Sequence, residues 1–96
     1  MKLETLTEIL GKHAGARKDG GAFLFANDVE ATLFVALEGE TLHVPKVTRV
    51  EIADGLVVAD AKGGERFACA LEDVRAVKID RTMEKGRERG AGFGKA

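Results

Sequence analysis

The chain contains no tryptophan, no tyrosine and no serine, one proline, one cysteine and nowhere a long apolar run. Each absence narrows what 96 residues can do. Without Trp and Tyr, the side chains that most often anchor stacked ligands and interface hot spots are missing, and five phenylalanines are left in their place. Without Ser, a hydroxyl nucleophile of that kind is excluded, and Cys69 has no base near it in sequence. Cys69 also lacks an intrachain disulfide partner. Its place between Ala68 and Ala70 in an apolar stretch is that of a buried, quiet thiol, so a reducing cytoplasm is the expected compartment. No run approaches the roughly 18 to 20 residues of a membrane span, and acidic Glu4 and Glu8 stand where a signal peptide would carry its greasy segment. A soluble, unprocessed chain is expected, long enough to bury one core without a disulfide or a structural metal.

What the sequence does hold is organised around residues 47–79. Val47-Thr48-Arg49-Val50-Glu51-Ile52-Ala53 alternates apolar and polar and meets Asp54-Gly55, a favoured pair for a two-residue hairpin turn. A second run, residues 56–60, breaks at Ala61-Lys62-Gly63-Gly64. A third, residues 65–71, is followed by the acidic corner Glu72-Asp73 and a last short run, residues 74–79. This is the pattern of an antiparallel meander. Upstream, Leu3, Leu6, Ile9 and Leu10 fall on one side of a short helix that Gly15 is placed to stop. Residues 16–21 read as a connector, 22–26 as a strand, and 29–37 as a strand covered on both faces, because Phe34 and Ala36 are apolar like Leu33, Val35 and Leu37. Pro45 is expected to mark an edge or a strand end after residues 41–44.

The fold class that follows is α+β and mainly β: an N-terminal helix packed on a bent antiparallel sheet or small β-barrel of six to seven strands. Residues 1–81 are expected to form the single compact domain, and residues 82–96 a flexible tail rich in Gly, Arg and Lys. The body is mildly acidic and the tail basic, although the net charge is −1.

No catalytic, cofactor-binding or metal-binding constellation emerges. His13, His43 and Cys69 lie far apart, without the HxH, HExxH or CxxC spacing of a zinc site. The carboxylate pairs Glu38 with Glu40 and Glu72 with Asp73 sit at turns, where such groups are normally solvated. The Gly63-Gly64 pair and the tail glycines do not match a phosphate-cradling loop. The pattern does offer two-sided greasiness in the meander. Val50, Ile52, Leu56, Val58, Phe67, Leu71, Val77 and Ile79 are assigned to one face, and Val57, Ala59, Ala68, Ala70 and Ala76 to the other. A single helical stripe cannot cover that second, alanine-lined face, so a second copy of the chain is expected on it.

A leading helix, a bent meander, a short turn and a final strand, with residues 54–81 as the second half, resemble the order of elements in Sm-like small barrels such as Hfq. Two departures matter. Hfq-type proteins carry a Lys-His pair before the last strand where this chain has Glu72-Asp73, and residues 22–26 have no counterpart. RNA binding of that type is therefore not carried over. The leading expectation is a non-enzymatic, self-associating interaction or regulatory module, a homo-oligomer able to take another protein as partner, with no cofactor and no membrane contact. The alternative is nucleic-acid binding through Arg17, Lys18, Arg49, Arg87, Arg89 and Lys95, with Phe93 among the tail glycines.

Overall fold

The structure, a computed structural model, describes residues 1–81, so the tail expected at residues 82–96 lies outside the described residues. Helix α1 (Leu3–Glu8) runs on into a π-helical stretch (Ile9–His13). Seven strands follow: β1 (Arg17–Asp19), β2 (Ala22–Leu24), β3 (Val29–Leu37), β4 (Glu40–Ala53), β5 (Leu56–Ala61), β6 (Glu65–Ala70) and β7 (Val74–Arg81), with a 3-10 turn (Leu71–Asp73) before the last. All pair antiparallel in one sheet curled into a half-barrel, and the helix packs on it. This is the mainly β, helix-on-sheet architecture expected.

Two tight hairpins set the frame. Glu38-Gly39 joins β3 to β4 with φ of 49° and 85°, and Asp54-Gly55 joins β4 to β5 with φ of 53° and 76°. Positive φ at both central residues is the type I′ geometry, whose twist matches that of the flanking strands. Gly55 has open space where a Cβ would stand, so Gly55→Ala tests conformation alone. It is expected to lower stability by about 1 kcal/mol in urea denaturation, the cost of left-handed backbone for a residue with a Cβ.

β4 does not end at Pro45. It runs for 14 residues, and its partner register on β3 steps from Leu33↔Val44 to Ala31↔Val47. The step is a bulge at Pro45-Lys46, with Lys46 at φ 57°. A proline that cannot donate to a ladder is accommodated there, and the strand bends instead of stopping. Before the bend β4 pairs mainly with β3; beyond it, β4 pairs with β2 on one side and β5 on the other. The curl of the half-barrel follows from this bend. The connector expected at residues 16–21 contains a further short strand, β1, hairpinned to β2 through Gly20-Gly21. All three of its residues are exposed, so no hydrophobic alternation announced it.

The core lies on the concave face. Leu33, Val35, Val47, Val50, Val57 and Val74 meet Leu6 and Leu10 from the helix, all at most 1 % exposed. The helix is tied at both ends: the Met1 ammonium donates to the Leu71 carbonyl at 3.0 Å, and Arg81 Nη2 donates to the His13 carbonyl at 3.3 Å. It therefore spans from the turn before β7 to the end of β7. Gly15 stops it as expected, at φ 67°, with the Ala16 N–H returning to the Leu10 carbonyl. Leu3 is not part of the buried stripe, being 48 % exposed.

Two face assignments are corrected. On β3, Leu33 and Val35 are buried, but Phe34 and Ala36 are only half-buried and Leu37 is 55 % exposed, so the outer face is partly open. On β5 the expected faces are exchanged. Val57 and Ala59 point into the core opposite Ile52 and Val50, whereas Leu56 and Val58 point outward beside Ala70 and Ala68. The two-residue turn at Asp54-Gly55 pairs Ala53 directly with Leu56, and that fixes the phase of every residue on β5.

Candidate functional site

The five residues expected to form an oligomer interface do not share one surface. Val57 is fully buried and Ala59 is 1 % exposed, so both serve the core. Ala68 and Ala70 lie on the outer face of β6, while Ala76 lies on the outer face of β7, at the opposite end of the strand order β6-β5-β4-β3-β7. The outer surface at β5 and β6 is nonetheless apolar. It is built from Ala68 and Ala70 with Val58 and with Leu56, which is 53 % exposed. Sequence alternation puts Ala68 and Ala70 on one face and misses their neighbours Leu56 and Val58, because it places β5 one residue out of phase.

The concave side of β6 carries the other half of this region. Phe67 and Cys69 face the core opposite Ala59 and Val57, yet both remain half-buried because no strand lies beyond β6 among the described residues. Next to Phe67 opens a groove of about 510 Å³ between the start of β4 and the start of β6, lined by Leu42, Val44, Pro45, Ala61, Arg66 and Phe67 among others. Burial pushes the Cys69 thiol above its ordinary range, and the charge of Asp73 adds to the shift. At neutral pH the thiol is protonated, a state that packs like a small hydrophobe and reacts slowly.

One rim of the region is ionic. Arg66 Nε donates to Asp60 Oδ1 at 2.7 Å and Arg66 Nη2 reaches Oδ2 at 3.5 Å. Arg49 Nη1 stands 3.5 Å from the second Asp60 oxygen and 3.3 Å from Glu51 Oε1. The hydrogen bond from Arg66, helped by the charges of both arginines, holds the Asp60 carboxyl below its ordinary range. A folded-state pKa below the unfolded one stabilises the fold above the unfolded value, and the contribution fades as pH falls through the folded one. Asp60 is therefore expected to titrate below the ordinary aspartate range in an NMR acid titration. Arg66→Ala is expected to bring it back toward the usual carboxylate range.

Arg49 is thus engaged by Glu51 and Asp60. Arg17 and Lys18 sit exposed on β1, where the Lys18 ammonium is 6.0 Å from the centre of the Phe23 ring. Arg87, Arg89 and Lys95 fall outside the described residues. His43 meets Phe34 edge to face at 4.7 Å, and His13 closes the π-helical stretch. No group of three or more His, Cys, Asp or Glu side chains among the described residues converges as a metal site would require. No helix among them is long and apolar enough to cross a membrane. Comparison of the chain with protein-family models, with curated proteins and with solved structures finds no match to any of the three.

Proposed function

We propose that the protein is a small, non-enzymatic, cytoplasmic interaction module that works by associating with itself. The observation that carries this reading is the unfinished end of the sheet at β6. Core-facing Phe67 and Cys69 are left half-buried there, an apolar groove opens beside them, and Leu56, Val58, Ala68 and Ala70 continue the apolar surface on the other side. Apolar surface left on both sides of one strand favours burial against another chain, at roughly 25 cal/mol for each Å² removed from water. Sedimentation of the full chain at concentrations from about 1 to 100 μM tests the reading, because association depends on protomer concentration by mass action. A mass rising above the 10.2 kDa of one chain supports it. A single 10.2 kDa species throughout that range contradicts it.

A further inference from the structure

Besides the first half of β4, which pairs with β3 alone and is closed off by Pro45 and its bulge, three strands border the sheet among the described residues, and they are guarded very differently. β1 is three residues long and entirely charged, Arg17-Lys18-Asp19. β7 carries Arg75, Lys78, Asp80 and Arg81, and its register on β3 slips between Phe34 and Val35. Short length, charges and irregular register are the devices by which proteins keep sheet edges from pairing with other chains. β6 has none of these beyond its first two residues. From Phe67 to Ala70 it is neutral, free of proline, and in unbroken register with β5 from Glu65 to Ala70.

The phase of β6 is also fixed. The Leu71 N–H donates to the Gly55 carbonyl at 2.8 Å in continuation of the β5–β6 register, so the odd-numbered residues of β6 direct their main-chain groups toward β5. Main-chain direction alternates along a strand, which turns the N–H and C=O groups of Arg66, Ala68 and Ala70 toward the open edge. The Met1 ammonium occupies the carbonyls of Leu71 and Glu72, just past the end of the strand, and stops short of these three residues.

We propose that β6 pairs antiparallel with β6 of a second copy about a two-fold axis beside Ala68, joining the two half-barrels through one continuous sheet. This rests on the self-association proposed above and names its surface. In this register Ala68 faces Ala68 of the second copy, Arg66 faces Ala70, and Phe67 faces Cys69. The pairs that meet through Ala68, Arg66 and Ala70 are those whose main-chain groups point outward, giving about six new main-chain hydrogen bonds. Phe67 and Cys69 form the closer, non-hydrogen-bonded pairs, and each completes the burial of the other on the concave side. Charges meet at both ends of the pairing. Antiparallel pairing brings the start of one strand toward the acidic turn Glu72-Asp73 that follows the end of the other, twice by symmetry, and the cation there is Arg66, which also holds Asp60 and stands beside the carboxylate of Glu65. An isologous contact of this kind closes at two copies.

The test combines three variants with sedimentation of the full chain. Ala68→Lys leaves pairing with β5 intact, because the side chain is exposed and points outward, but it sets two ammonium groups opposite each other across the two-fold axis. It is expected to weaken self-association at least about tenfold, since like charges placed face to face across paired strands repel. Ala76→Lys, an equally exposed outward position on β7, is expected to leave association unchanged. Circular dichroism of both variants should match the parent. Phe67→Cys is expected to yield, on mild oxidation, a covalent dimer through Cys69 of the second copy, because directly opposed residues in a non-hydrogen-bonded pair lie within disulfide reach. Undiminished association of Ala68→Lys, or the lack of the covalent dimer, would overturn the β6 pairing while leaving self-association standing. A parent chain that stays single would remove both.

Discussion

Leu10→Ala is expected to destabilise the protein by about 3 kcal/mol and to lower Tm by roughly 15 °C in a calorimetric scan, a large effect for a domain of this size. Leu10 is fully buried and sits, with Leu6, at the only place where the helix reaches the sheet core among the described residues. Six α-helical residues and a π-helical turn cannot hold themselves together in water, so the helix exists because that face is buried. Losing the leucine therefore removes packing on both sides of the contact. The cavity left under the helix adds to the lost transfer energy. Leu3→Ala, on the same nominal stripe but 48 % exposed, is expected to cost less than about 1 kcal/mol. Equal effects at the two positions would mean that the helix lies differently on the sheet.

Val57→Asp is expected to abolish folding at 25 °C. Val57 is fully buried between Ile52 and Cys69, its cross-strand partners, and a carboxylate there would have neither water nor a partner. The penalty of several kcal/mol is comparable with the total stability of a small domain. Leu56→Asp, one residue earlier and 53 % exposed, is expected to change stability by no more than about 0.5 kcal/mol. Far-ultraviolet circular dichroism with urea titration separates the two outcomes. The pair also decides between the face assignment drawn from alternation and the one set by the turn, since the former puts Leu56 inside and Val57 outside.

Local chemistry made much of the fold legible. The Asp54-Gly55 turn, the meander of the first three runs (β4, β5 and β6), the helix with Leu6 and Leu10 on its inner side and its stop at Gly15 all follow from short-range rules, and the structure shows each; the fourth run, expected to continue the meander, instead leaves β6 and pairs with β3 at the other end of the sheet. What escaped depends on longer-range geometry. Nothing local shows that a chain containing Pro45 will pass through a bulge and continue for eight more residues, because the compensating partners, Ala31 and Ala61, lie on other strands. β1 was invisible because Arg17-Lys18-Asp19 buries nothing. The phase of β5 was misread because Leu56-Val57-Val58-Ala59 is apolar at successive positions, so alternation cannot choose a face and the turn decides. For the candidate surface, alternation puts Ala68 and Ala70 together on one face of their strand, and in the structure that is the outer face. Their role as members of an unguarded edge needed the strand order, which no run of residues displays.

Residue-resolved amide hydrogen exchange is the most direct measurement of whether the sheet continues across β6. At high protein concentration the N–H groups of Arg66, Ala68 and Ala70 should exchange as slowly as those of Phe67 and Cys69, which β5 already holds, and dilution should release the first three alone. Fast exchange at Arg66, Ala68 and Ala70 at every concentration, with Phe67 and Cys69 protected throughout, would show β6 facing water and contradict the account.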